Sequence, residues 1–315
     1  MGGDSHKQGP FTPLYFIKGA LAGGICCGVT HGAMTPVDVV KTRIQLEPTV
    51  YNKGMVSGFR QIIAAEGAGA LLTGFGPTAL GYFVQGWFKF GGVEFFKVQA
   101  SQYLGDEAAW NNRVAIYLGA AAGAEFIADI FLCPLEATRI RLVSDPKFAS
   151  GLAEAFPKII KTDGFIKGFY SGFGPILFKQ IPYTMAKFAV QGIAAEQIYT
   201  ALGKKAKDLS SNANLGVALG SGVIAGVAAA IISHPADTLL SMVNKAGAGG
   251  NGSITSRLLN LARETGFKRL CLNGLGPRCV MIGVLTAGQF ALFDTVMAAT
   301  GAQKFHFVDP AGGDH

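Results

Sequence analysis

Long uncharged stretches alternate with short polar ones, and the alternation runs three times along the chain. Residues 19–37 contain no Asp, Glu, Lys or Arg. That length suffices for a helix to cross a bilayer. Polar stretches rich in turn residues follow at 45–57, 144–151 and 244–256, each leading into a short amphipathic segment, which predicts short helices lying along a membrane surface. Further uncharged cores lie at 67–88, 168–178 and 279–293, and the spans that contain them start near Gly74, Gly172 and Gly274. The middle core is too short to span alone and does so only if Lys179 and Lys187 face something wet. Loops near 101–112 and 203–212 separate the copies. The pattern predicts an all-α membrane protein. Six transmembrane helices form three pseudo-symmetric repeats (14–100, 111–197 and 213–298), each with a short surface helix, around a central cavity.

The repeat is fixed by two anchors. Each odd-numbered span closes on a proline with an acid two residues on: Pro36 and Asp38, Pro134 and Glu136, Pro235 and Asp237. In the first two copies a base follows three residues further, Lys41 and Arg139, and in the third Leu240 stands there. The prolines are 98 and 101 residues apart, and the later glycines Gly74, Gly172 and Gly274 are 98 and 102 apart. Two motifs that keep phase over three copies set the architecture. Each proline is expected to kink or end its helix, because it lacks the N–H and clashes with the preceding turn. Gly24, Gly28 and Gly32 lie four apart, as do Gly119/Gly123 and Gly222/Gly226, which predicts glycine faces where a neighbouring backbone approaches closely.

Composition narrows the function classes. Half of the residues are hydrophobic, 15% are charged and 44 are glycine, a balance suited to helices packed in lipid. The net charge of +7 comes without a basic run or an aromatic-interleaved basic patch, which argues against nucleic acid and fits a membrane protein that handles anions. The five cysteines lack metal-ligand spacing, and Cys26 and Cys27 are adjacent, so they read as reduced packing residues. The first ten residues are neither a signal peptide nor an Arg-rich presequence, so any organellar targeting signal is expected to be internal.

Ionisable residues within spans point to function. Counting seven, eleven and fifteen residues on from the anchor glycines gives Gly81, Lys179 and Met281, then Gln85, Tyr183 and Leu285, then Lys89, Lys187 and Gln289. These positions recur every four residues, so each even-numbered helix presents one stripe. Facing a common axis, the stripes would place Lys89, Lys179 and Lys187 with Gln85, Gln180, Tyr183 and Gln289 in one cavity, a fitting site for a small oxyanion. The alternative is that the lysines snorkel to the interface. The odd-numbered helices add His31, Glu125 and Asp129. A carboxyl in a poorly solvated cavity or a histidine can carry a proton; a structural hydrogen bond between helices is the other reading.

Proline, acid, then base, with acid-Gly and a short run to Gly, resembles the signature of the mitochondrial carrier family over nearly the whole chain, from about Pro13 to Ala298. The runs around His31, Glu125–Asp129, Lys179–Tyr183 and Ser233–Asp237 resemble the family's phosphate-carrying branch. The resemblance implies a multi-pass protein of the mitochondrial inner membrane with its termini in the intermembrane space. By charge bias alone the Lys/Arg-rich side would be the one not translocated. It also implies a secondary transporter taking inorganic phosphate with a proton (or in exchange for hydroxide) by alternating access, without a cofactor and as a monomer. His31, Glu125, Asp129 and Glu136 are the candidates for the proton.

A matrix-side gate would pair Asp38 with Arg139 and Asp237 with Lys41, with Gln45 bracing from below, and would leave Glu136 without its third-copy base. On the cytoplasmic side the acid-x-x-base pair is complete only as Glu94–Lys97; the other copies offer Gln191 with Ala194 and Asp294 with Met297. The family's aromatic-basic-Gly lipid motif lacks its basic residue in all three copies, so cardiolipin would bind through backbone N–H groups at helix starts. The rival readings are a carrier of copper ion or a carboxylate, with Cys26, Cys27 and His31 on one helix as metal candidates, and a membrane receptor or scaffold. No nucleophile and orienting acid stand at a recognisable spacing from His31, which argues against an enzyme.

Overall fold

The computed structural model describes residues 11–47, 49–51, 53–145, 147–204, 206–243, 254–272, 274–309 and 313–314. The first ten residues, on which the targeting expectation rests, and most of the polar stretch 244–256 lie outside them.

The first copy comprises α1 (Pro13–Leu46), α2 (Met55–Glu66) and α3 (Phe75–Leu104), with α4 (Asp106–Asn111) linking to the next. The second comprises α5 (Arg113–Ser144), α6 (Leu152–Asp163), α7 (Phe165–Tyr170) and α8 (Phe173–Leu202). The third comprises α9 (Ser211–Val243), α10 (Ile254–Thr265), α11 (Phe267–Leu272) and α12 (Leu275–Ala299). A two-stranded ladder, β1 (Val308–Asp309) with β2 (Gly313–Asp314), follows. The expected pattern of three helix pairs, each with a surface helix, is therefore present.

The six long helices form a closed ring. α1 packs on α3, α3 on α5, α5 on α8, α8 on α9 and α9 on α12, and α12 returns to α1. Four of them, α1, α5, α9 and α12, are long and apolar enough by composition to cross a membrane. The other two, α3 and α8, are 30 residues each, about 45 Å at 1.5 Å per residue. Their lysines and Glu94 lower the apolar content, and those side chains turn into the ring. Hydrophobic residues such as Val280, Val284 and Ile232 stay exposed on its outside, as a lipid-facing surface requires. Inside, Cys26, Phe90, Ala124, Phe188, Phe290 and Phe293 from five helices meet in one buried cluster.

Several local expectations are corrected. The prolines do not end their helices: α1, α5 and α9 continue past Pro36, Pro134 and Pro235 for several further residues. A helix proline frees the carbonyl four residues earlier. At Pro134 that carbonyl belongs to Ile130, and it accepts a 2.9 Å hydrogen bond from the Tyr170 hydroxyl. The uncharged stretch 67–88 is not one span. Gly67 ends α2, and a short turn over Ala68–Leu72 precedes α3. Gly74 and Gly274 begin their spans at φ near +80°, where a Cβ is strained; Gly172 does not share this conformation.

The glycine faces differ between copies. A Cβ on Gly24, Gly28 or Gly32 would press on Phe83, Ala79 or Phe75 of α3. The tightest contact in this copy is at neighbours not singled out from the pattern: a Cβ on Gly86 would sit 2.1 Å from the Gly23 carbonyl oxygen. Gly222 and Gly226 press against the α12 backbone at 2.7 and 2.6 Å. In the second copy Gly119 faces open space and Gly123 only touches Phe96 at 3.5 Å, and the close approach is to a ring and not to backbone: a Cβ on Gly192 would sit 2.5 Å from Tyr117. Gly86→Val should therefore lower stability by about 3 kcal/mol or more through overpacking, whereas Gly119→Ala should leave it unchanged or slightly raised. Thermal unfolding of the purified protein in detergent checks both; equal midpoints for the two variants would contradict the packing described.

Candidate functional site

α3, α8 and α12 alternate with α1, α5 and α9 around the ring, and each turns one stripe toward the axis. The stripes line a cavity of about 160 Å³. Gln85, Lys89, Lys179, Gln180, Tyr183, Lys187, Met281 and Gln289 all line it. Gly81 does not: it faces Leu132 and Leu135 of α5, with its missing Cβ as the reason those side chains fit. The lysines do not snorkel as a group. Lys89 and Lys187 are 4% and 1% exposed, while the side chain of Lys179, towards the end that holds Pro36, Pro134 and Pro235, is 36% exposed.

Each buried lysine is held differently. Lys89 Nζ lies 3.0 Å from Glu125 Oε2. Glu125 has no exposed surface. It also accepts from Gln85 Nε2 at 2.8 Å and Thr184 Oγ1 at 2.8 Å. Gln85 reaches Asp129 Oδ1 as well, at 3.3 Å. The other carboxylate oxygen of Asp129, also fully buried, has no hydrogen-bond partner among the described residues. Glu125 and Asp129 thus stand behind Gln85 and Lys89 and do not line the open cavity.

Lys187 has no carboxylate within ion-pair distance among the described residues. Its ammonium donates to Gln289 Oε1 and lies over the rings of Phe90, Phe290 and Phe188 at 5.1, 5.3 and 5.7 Å. Gln289 Nε2 in turn donates to Thr30 Oγ1 at 3.3 Å. Cation–π contact offsets part of the desolvation of such a charge but leaves it without a counter-ion. His31 lines the same cavity with its ring stacked on Tyr82, centroids 3.6 Å apart.

At the end that holds Pro36, Pro134 and Pro235, Asp38, Lys41, Glu136, Arg139 and Asp237 line the cavity together. Arg139 reaches Asp38 at 3.7 Å, as expected, but its closer partner is Glu136 of its own helix at 2.6 Å. Glu136, whose third-copy base is missing, is thus paired within its own helix. Asp237 is held by Arg278 and approached by Lys179 at 3.9 Å, where Lys41 was the expected partner. Arg278 also donates to Ser233 Oγ at 3.0 Å. The sequence carried a signal for Arg278: it lies three residues before Met281 on the same stripe, and its counterparts Thr78 and Ile176 are uncharged. The side chain of Gln45 lies outside the described residues.

The opposite end is closed by the Phe90, Phe188, Phe290 and Phe293 tier. Beyond it lie Glu94 with Lys97 at 2.5 Å and Asp294 with Lys304 at 3.0 Å. Lys304 was not among the expected gate residues, because it lies beyond the repeats. Cys26 and Cys27 are buried in the tier's core and do not line the cavity. Among the described residues no group of three His, Cys, Asp or Glu could hold a metal ion.

The family profile described as "Mitochondrial carrier protein" matches residues 12–103, 111–201 and 211–303, which are the three helix pairs. The chain is 47% identical over 296 residues to "Mitochondrial substrate carrier family protein N" of Dictyostelium discoideum, covering 93% of this chain and 97% of that one. It is 43% identical over 295 residues to "Probable mitochondrial phosphate carrier protein" of Schizosaccharomyces pombe (92% and 93% covered). With "Phosphate carrier protein, mitochondrial" of Caenorhabditis elegans it shares 44% identity over 286 residues (90% and 81% covered). On the three matched repeats and the closed six-helix ring, the chain belongs to the mitochondrial carrier family.

Proposed function

We propose that the chain is a secondary transporter of the mitochondrial inner membrane that brings inorganic phosphate into the matrix together with a proton. The observation that carries this reading is Lys187, a buried ammonium at the inner end of the cavity with an amide as its hydrogen-bond acceptor and, among the described residues, no carboxylate beside it. An oxyanion there gains a charge-assisted hydrogen bond. The names of the S. pombe and C. elegans relatives support phosphate as the anion. So does the small cavity, about 160 Å³, against roughly 300 Å³ and upward for pockets of drug-sized ligands.

The proton enters through the ion pair. With Glu125 ionised, Lys89 is neutralised by its neighbour. A proton taken by Glu125 removes that attraction and frees Lys89 to join Lys187 on the phosphate oxygens, with Gln85, Gln180, Tyr183 and Gln289 completing the donor set. His31 at the cavity wall is a relay between water and Glu125; Asp129 and Glu136 are the remaining acids on the route. Monovalent phosphate plus a proton crosses without net charge. Driving one uncompensated negative charge into a negative-inside compartment would cost about 2.3 kcal/mol per 100 mV.

Access alternates between two gates around this site. The matrix gate consists of Asp38, Glu136 and Arg139 with Asp237, Lys41, Lys179 and Arg278. The cytoplasmic gate contains Glu94, Lys97 and Asp294. The termini lie in the intermembrane space. One chain encloses the cavity, which supports action as a monomer, and a cardiolipin would sit at the starts of α3, α8 and α12.

In liposomes containing the purified protein, phosphate uptake should rise when the interior is made alkaline. Equal uptake with and without the gradient would contradict proton coupling. Lys187→Gln should lower uptake about 10- to 100-fold, the loss expected from a charge-assisted hydrogen bond of about 1.5–3 kcal/mol; normal uptake would remove Lys187 from the site. Glu125→Gln should retain phosphate binding, read by thermal stabilisation, and lose the acceleration by the pH gradient. If folded protein carries no phosphate under either condition, copper ion and carboxylates are the solutes to test next.

A further inference from the structure

At the end of the ring opposite Pro36, Pro134 and Pro235 the helices supply two acid–base pairs, Glu94 with Lys97 and, between α5 and α8, Glu196 with Arg113 at 3.0 Å, and they leave Asp294 without a base among the described helices. The short segment after α12 supplies what they lack. Lys304 gives Asp294 its base, at 3.0 Å. The Phe305 backbone N–H donates to Glu94 Oε2 at 2.8 Å, and its carbonyl accepts from Lys97 Nζ at 3.4 Å. Glu94 also accepts from the Tyr15 hydroxyl at 2.9 Å. The Phe305 ring packs edge-on against Phe11 and Phe307, with centroids 5.6 and 5.1 Å apart. Phe307 meets Tyr117 at 5.3 Å. Phe305 and Phe307 are 6% and 2% exposed, so the segment is a packed part of the interior.

Its position gives this a consequence. Lys304, Phe305 and His306 form the roof of a small chamber whose floor is the phenylalanine tier, with Gln191 and Glu196 in its walls. Anything passing between the cavity and this end of the ring must cross the place where the segment lies.

We propose that residues 304–307 form a strap that completes the gate on this side and must leave for the cavity to open there. This rests on the carrier reading for its purpose. The groups the strap satisfies explain how it can move. Glu94 and Lys97 face each other at 2.5 Å, so when Phe305 withdraws they remain paired. The groups exposed on its release are the Phe305 and Phe307 rings, Asp294 and Lys304. Closure therefore depends on the Asp294–Lys304 pair and on the burial of the two rings.

The test uses the full chain with Gln191→Cys as a reporter under the strap. A membrane-impermeant thiol reagent is applied without phosphate, and modification at position 191 is followed by mass spectrometry. Lys304→Asp should speed labelling about fivefold, the factor corresponding to about 1 kcal/mol of lost ion pairing. Lys304→Asp with Phe305→Ala should speed it further, and Asp294→Lys with Lys304→Asp should return it towards the parent rate. Labelling rates that stay at the parent value in both the single and the Phe305 variants would overturn the strap. A charge swap that labels as fast as Lys304→Asp would overturn the role of the pair. Because the readout needs no flux, a protein that labels as expected yet carries no phosphate upholds the strap and overturns the substrate assignment.

Discussion

A carboxylate without exposed surface holds the centre of this molecule together. Glu125 takes hydrogen bonds from Gln85 and Thr184 and an ion pair from Lys89, and these groups come from α3 and α8 on either side of its own α5. Lipid offers no compensation for an unmatched charge, so every ionisable group on a span must find its partner inside the ring. The requirement fixes the rotation of α3 and α8 about their axes. Turning α3 until Lys89 faced outward would strand Glu125, and the same turn would remove Gln85 from the cavity. Breaking a buried pair by losing one member costs more than the pair contributes, so the arrangement confers specificity of packing more than raw stability.

The repeat order, the three helix pairs and the axial stripes could be read from spacing alone, because both anchors keep phase and a period near four puts Lys179, Tyr183 and Lys187 on one face. What spacing does not encode is which neighbour a long side chain chooses. Arg139 was expected across the gate with Asp38 and instead lies closer to Glu136, one turn before it on the same helix. Asp237 takes Arg278 from the next helix, a pairing between repeat positions that a copy-by-copy alignment does not compare. Gly119 fails for the opposite reason. Glycine periodicity marks where close approach is allowed, and only the ring geometry decides where it occurs. The segment carrying Lys304 lies outside the repeats and so was invisible to any argument built on them.

Threefold pattern and singular chemistry coexist because backbone and side chains answer to different constraints. The backbone repeats since each helix pair must meet the same bilayer and the same two neighbours. The cavity does not repeat: Lys187 stands alone with Gln289 and the phenylalanine rings, Lys89 is neutralised, and Lys179 leans towards Asp237. Lys89 and Lys187, at equivalent repeat positions, and Lys179, two turns before Lys187, thus have three electrostatic environments.

The contact of Gly23 with Gly86 bears on how such a ring can change shape. Where two backbones touch with no side chains between them, no alternative set of rotamers exists through which the helices could slide. Sliding of α1 on α3 is blocked there, and sliding of α9 on α12 likewise at Gly222 and Gly226. The second pair has no such weld, since Gly119 faces empty space. Gly192 of α8 instead meets the Tyr117 ring of α5, so the tightest glycine contact of this pair is with a side chain that can change rotamer.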